Sequence, residues 1–148
     1  YGGNWNHPHF KAVYKASKLC AAFDLDLALI GFPVISTEKL LKEVNKEMRV
    51  TSNDFLSELI SLGRVLFFEK DIDESLTGKK VVTTSNPDTN KTTLPSEKLC
   101  MVMGLGPKGL PKSYIKKSDY HFELTGLNVA LETGTAMGAL SSELGQLS

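Results

Sequence analysis

The sequence predicts an α/β domain with a mostly parallel sheet and helices on both faces. Three observations predict it. Short apolar runs alternate with segments whose apolar residues recur every three or four positions, as strands alternating with crossover helices do. Three successive runs in the second half end in loops rich in glycine, hydroxyls and amides. The chain has 148 residues, 41% hydrophobic and 23% charged, enough to bury a core as one domain. No internal repeat and no interdomain linker is visible, so residues 1–148 are read as a single domain.

Residues 8–23, PHFKAVYKASKLCAAF, fit a helix. Pro8 suits a first turn, and Val13, Ala16, Leu19, Cys20 and Phe23 form one face. LDLALIGF (25–32) reads as a buried strand that Pro33 ends. Ser36-Thr37-Glu38 opens TEKLLKEVNKEM, an amphipathic helix with its charges outward. SNDFLSELISLG (52–63) predicts another helix, capped by Ser52 or Asn53 and ended by Gly63. RVLFF (64–68) is the next strand. KKVVTTS (79–85) follows as a strand and leads into NPDTNKTTLPS, a polar loop. KLCMVM (98–103) is a strand that runs into a glycine turn. PKSYIKKS holds at most two helical turns. YHFELTG (120–126) is the last strand, and LETGTAMGALSSEL (131–144) a helix rich in small residues. The opening YGGNW has the composition of a loop that follows a strand, so a native first strand is expected before Tyr1.

Composition narrows the function classes. Acids and bases balance at 17 each, so no general basic field grips nucleic acid. Lys108, Lys112, Lys116 and Lys117 nevertheless cluster without an intervening acid, as a solvated face or a phosphate contact. Cys20 and Cys100 sit in apolar surroundings, as reduced core cysteines of a cytoplasmic protein do. No metal site is expected: there is no Cys-x-x-Cys, and His7 and His9 have no acidic partner nearby. No apolar run approaches the roughly 18 residues of a membrane span.

The three glycine- and hydroxyl-rich loops carry the functional signal. In open α/β sheets ligands gather outside the carboxyl ends of strands. The loops are Thr83-Thr84-Ser85-Asn86-Pro87, the turn Gly104-Leu105-Gly106-Pro107-Lys108-Gly109, and Thr125-Gly126-Leu127-Asn128. Glycines let backbone amides approach a ligand, and hydroxyls add directional hydrogen bonds. Such a site suits an adenine edge or a ribose. The glycine turn fits G-x-G-x-x-G, but a dinucleotide site needs a long helix starting inside the motif. Here Pro111 follows and the next strand starts near Tyr120, which leaves too little chain for a crossover helix.

MVMGLGPKGLP followed by FELTGLNVALETGTAMGAL resembles the SPOUT superfamily of S-adenosylmethionine-dependent methyltransferases. Gly106-Pro107-Lys108-Gly109 matches that family's G-P-x-G turn. Leu127-Asn128-Val129 and Leu131-Glu132-Thr133 match its last cofactor loop, and the polar loop after VVTT matches its first. With HFKAVYKASKLCAAFDLDLALIGFP near the start, the chain more narrowly resembles an uncharacterised archaeal SPOUT-like family. The resemblance implies a C-terminal deep trefoil knot over about 79–148 and a homodimer packed through it. It implies bound S-adenosyl-L-methionine contacted by Thr84, Ser85, Leu105, Gly106, Gly109, Leu124, Gly126, Leu127, Val129 and Leu131. It also implies methyl transfer, most often to RNA. The chain departs from the ribose methyltransferases of that superfamily by Lys108, where they often carry Glu, and by having no arginine before Arg49.

Methyl transfer needs a positioned nucleophile and, for a hydroxyl or ring nitrogen, a proton acceptor. The candidates are His7, His9 and Glu132; the alternative is a helix-entry or surface role for each histidine and orientation of the last loop for Glu132. Asn4, Trp5, Asn6, Lys15, Lys108 and Lys112 are the candidate substrate contacts, Trp5 by stacking a base and the lysines on phosphates. A protein or small-molecule acceptor, favoured by zero net charge, is the first rival reading. A non-catalytic, dimeric S-adenosylmethionine-binding module is the second.

Overall fold

The computed structural model describes residues 7–33, 36–105 and 109–147. Its first helix, α1 (His7–Phe23), buries Phe10, Val13, Ser17 and Cys20. The steps of three and four put them on one face. Asp24 takes a left-handed φ of 55° and the Leu25 amide returns to the Cys20 carbonyl, so the strand expected from residue 25 begins only at β1 (Leu27–Ile30). The Arg64 guanidinium ties this corner to the next strand through Asp26 (2.8 Å) and Asp24 (3.0 Å).

Helix α2 (Thr37–Met48) has the bounds the sequence predicts. Ser36 accepts the Lys39 amide at its start, and Arg49, in the left-handed region, closes it through Asn45 and Lys46 carbonyls. Helix α3 (Asp54–Ser61) is capped by Asn53, whose Oδ1 accepts the Leu56 amide. Leu40, Val44, Leu56 and Leu59 pack from α2 and α3 into one core with Phe10, Val13 and Leu29. Strand β2 (Val65–Phe68) follows, then a single turn, α4 (Glu74–Thr77), capped by Asp73. That turn is too short to leave a periodic trace in the sequence.

Strand β3 (Lys79–Thr83) leads through a 3-10 turn at Thr89–Lys91 to β4 (Leu99–Val102). Helix α5 (Lys112–Lys117), β5 (Tyr120–Phe122) and α6 (Thr133–Leu147) complete the chain. Strand β5 is shorter than the predicted 120–126. The Glu123 carboxylate accepts both the amide and the hydroxyl of Thr125, and that turn ends the ladder.

Among the described residues every strand pair is parallel, as expected, but the pairs form two ladders instead of one sheet: β1–β2, and β4–β3–β5. Both faces are covered. On β1, adjacent Leu29 and Ile30 point oppositely. Leu29 joins the α1–α3 core, and Ile30 joins a second core with Ile72, Val82, Val102 and Leu110, flanked by Tyr114 and Ile115 of α5. Val81 and Val82 are both fully buried, as on a central parallel strand. Helix α1 also packs against α6, which carries the C-terminal half of the fold onto the N-terminal half.

His9 is 4% exposed, with its ring 6.4 Å from that of Phe32. Burial pushes its imidazole below the usual 6.5. The unfolded chain therefore takes up a proton near 6.5 before the folded one does, and stability is full above that pH and falls below it. Urea unfolding should show stability dropping from pH 7 toward 5.5, and His9→Gln should flatten that slope.

Candidate functional site

Parallel pairing fixes where the loops emerge. Strand β3 lies between β4 and β5 and runs parallel to both, with Val82 beside Val102 and Thr83 beside Phe122. The three segments that leave these strands therefore start from one edge of the ladder. They surround a cavity of about 590 Å3, within the range of small-molecule sites.

The loop after β3 contributes Thr83, Thr84 and Ser85. The Thr84 amide donates to Phe122, extending the ladder one step, and its hydroxyl accepts the Asn86 amide to turn the chain. The loop after β4 contributes Met103, Gly104, Leu105, Gly109 and Leu110. Its two described ends close on each other: a Cβ on Gly104 would collide with the Gly109 carbonyl carbon. Gly109 has φ +66°, which only glycine adopts at little cost. The loop after β5 contributes Glu123, Leu124 and the run Val129-Ala130-Leu131-Glu132. Lys112 and Ile115 of α5 and Ala136 and Leu140 of α6 complete the wall.

Nine residues singled out by sequence thus meet at one cavity: Thr84, Ser85, Leu105, Gly109, Leu124, Val129, Leu131, Glu132 and Lys112. Gly126 (φ 72°) and Leu127 (78% exposed) lie at the apex of the last loop and do not line it. His9 is buried beside Phe32 instead, so the structure does not bring it to the cavity. Lys15 stands at the start of α6, where a Cβ on Gly134 would lie 3.4 Å from its ammonium. Asn4, Trp5, Asn6, Gly106 and Lys108 lie outside the described residues, as does the side chain of His7. Among the described residues no group of three or more His, Cys, Asp or Glu side chains is placed to hold a metal, and no helix is long and apolar enough to cross a membrane.

Glu132 has a defined job. Its carboxylate accepts the amides of Gly134 (2.9 Å) and Thr135 (3.1 Å) and the Thr135 hydroxyl, so it caps α6. Those amides, with Lys15 adding to them, hold it below the usual carboxylate range. Glu123 is likewise held low, chiefly by the Thr125 hydroxyl. Both carboxylates stay anionic and have their oxygens engaged, which makes them loop-positioning groups.

Three anchors that sequence reasoning did not single out fix the walls. His121 is buried; its Nδ1 accepts the Asp88 amide at 3.0 Å, and its Nε2 lies 2.9 Å from the Ile115 carbonyl. A carbonyl can only accept, so Nε2 carries the proton, and the neutral ring ties the first loop to α5. Lys91 donates to the Lys116 and Ser118 carbonyls at 3.0 and 2.8 Å, closing the same loop onto the end of α5. Asp71 accepts from Lys80 (2.9 Å) and from the Tyr114 hydroxyl (2.8 Å), while the Lys80 ammonium sits 4.6 Å above the Tyr114 ring. Burial works to raise Asp71, and these bonds outweigh it, so the carboxyl lies below its ordinary value.

The chain is 30% identical over 145 residues to the uncharacterised protein MJ0224 of Methanocaldococcus jannaschii; the match covers 92% of this chain and 82% of that relative. No protein-family model matches the chain. No solved structure matches it.

His121→Ala removes the bond to the Asp88 amide and cuts the tie to the Ile115 carbonyl, which still accepts from Ser118. It should lower stability by about 1–3 kcal/mol in denaturant unfolding. Amide exchange should speed up in the 84–92 segment more than in α2 or α3.

Proposed function

The chain belongs to the family of the archaeal protein MJ0224, and we propose that it is a SPOUT-type methyltransferase that uses S-adenosylmethionine and acts on RNA. The observation that carries this reading is the convergence of three strand-end loops on one cavity. Those loops hold the motifs that resemble the superfamily. In this reading residues 79–148 form its trefoil knot, and a second copy packs against the knot.

The residues present fit the cofactor. The cavity is lined mostly by apolar side chains, with the hydroxyls of Thr83, Thr84, Ser85 and Thr133 among them, a mixture that suits an adenine face and its polar edge. Val129 and Leu131, 51% and 39% exposed, offer apolar surface that suits an adenine face or a second copy. Bound there, S-adenosylmethionine supplies an electrophilic methyl group on a sulfonium. Thr84 and Ser85 orient its polar groups, Leu124, Val129 and Leu131 exclude water, and Gly104 and Gly109 keep the second loop narrow. Glu132 positions the last loop through α6 and does not accept a proton. Lys112, on the cavity wall, faces an anionic acceptor.

A second reading, a protein or small-molecule acceptor, is favoured by the balance of 17 acids and 17 bases. A labelled methyl donor incubated with total RNA and total protein of the native source separates the two. The proposal expects label in RNA. For about three phosphate contacts, RNA retention should fall on the order of 20-fold between 50 and 200 mM salt, and Lys112→Glu should flatten that response. Label in protein alone moves the reading to the second acceptor class. No transfer to either, with cofactor still bound, leaves a binding module.

A further inference from the structure

Zero net charge does not make an even surface. Helix α1, HPHFKAVYKASKLCAAF, carries Lys11, Lys15 and Lys18 and no acid. The segment that follows, 24–75, holds more acids than bases. Charge is therefore sorted along the chain, and the balance of 17 and 17 conceals a basic helix.

The fold turns that helix into a charged face. Steps of four and three put the three lysines above one another on one side of α1. Val13, Ser17 and Cys20 take the opposite side and are buried, and α1 packs against α2, α3 and α6. Lys11, Lys15 and Lys18 are all exposed, in a row about 10 Å long. Lysines elsewhere are consumed by the fold: Lys80 by Asp71 at 2.9 Å, and Lys91 by the Lys116 and Ser118 carbonyls. Among the described residues none of the three α1 lysines is in an ion pair. The Lys18 ammonium lies 4.6 Å above the Tyr14 ring, which orders it without neutralising it. The row also reaches the loop site. A Cβ on Gly134 would lie 3.3 Å from the Glu132 carboxylate and 3.4 Å from the Lys15 ammonium, so these two charges are neighbours, and Glu132 lines the cavity. Glu132 offsets part of the Lys15 charge and leaves Lys11 and Lys18 for a partner.

We infer that the outward face of α1 is a phosphate-binding surface that holds an RNA strand beside the cavity, with Lys11 and Lys18 on backbone phosphates. This rests on the reading of the chain as an RNA methyltransferase. A row of point charges suits a polymer of regularly spaced anions. A free nucleoside or small metabolite held in the cavity does not extend over α1. The inference therefore narrows the acceptor to a strand that runs on past its target nucleotide. Lys11 and Lys18 supply two of the about three phosphate contacts expected of this chain, and Lys112 the third.

The salt dependence of binding, read by anisotropy with a labelled single-stranded RNA oligomer and with poly-glutamate, tests it. The chains compared are the unaltered protein, Lys11→Gln/Lys18→Gln, and Lys39→Gln/Lys42→Gln, which removes two exposed α2 lysines and lowers the net charge equally. Between 50 and 200 mM salt, RNA affinity of the unaltered chain should fall on the order of 20-fold, and that of the α1 pair only about 3-fold. The α2 pair should follow the unaltered chain, and Lys11→Arg/Lys18→Arg should keep the full response. An equal salt response in the α1 glutamine pair, with RNA still bound, overturns the inference and leaves the RNA reading standing. An equal loss in both glutamine pairs also overturns it, as an effect of net charge. So does poly-glutamate binding that the α1 pair alone abolishes while RNA binding is unchanged, which would make the partner an acidic protein. No RNA binding by the unaltered chain overturns both the inference and the reading on which it rests.

Discussion

The constraint on which the rest depends is the central position of β3 between two parallel neighbours. Its amides alternate between β4 and β5, so its backbone is satisfied on both sides and both its faces are buried. Parallel direction then forces three loops onto one edge without any contact between the loops themselves. The anchors act on that arrangement afterwards. His121 and Lys91 hold the first loop to α5, and Asp71, Lys80 and Tyr114 hold α5 to the root of β3. Glu132 fixes the third loop by capping α6. Each of these residues spends its polar groups on geometry, which leaves the cavity itself lined by backbone, hydroxyls and aliphatic carbon.

Such a site works by shape and position. An alkyl transfer from a sulfonium needs close alignment of nucleophile and methyl more than it needs acid–base help. The engaged state of Glu123 and Glu132 agrees with that demand. Among the described residues Lys112 brings a positive charge to the wall, in a chain whose acids and bases balance at 17 each.

Much of this was legible in sequence, for local reasons. Helix α2 announced itself by Ser36, Glu38 and outward charges, and its bounds are those observed. The parallel character of the strands followed from their alternation with helices. Leu124, Val129 and Leu131 were named through the resemblance of their motifs, and all three line the cavity. The rest depended on distant partners. His121 bonds to backbone atoms 33 and 6 residues away, and backbone acceptors leave no mark in sequence. The capping role of Glu132 had a faint signal, an acid directly before a helix of small residues. The burial of His9 did not, because a helix's first turn can face either way until α1 packs on Phe32. The division into two ladders was invisible too, since the alternation of strands and helices does not say which strands pair.

If the three loops form one binding site for S-adenosylmethionine, as proposed, amide shift mapping during titration with S-adenosylhomocysteine reads it out. Saturable shifts are expected at Thr84, Ser85, Leu105, Gly109, Leu124, Val129 and Leu131, drawn from all three loops at a single affinity. No shifts at saturating ligand, or shifts confined to residues outside the three loops, such as Ala28 and Cys100, would overturn the proposal.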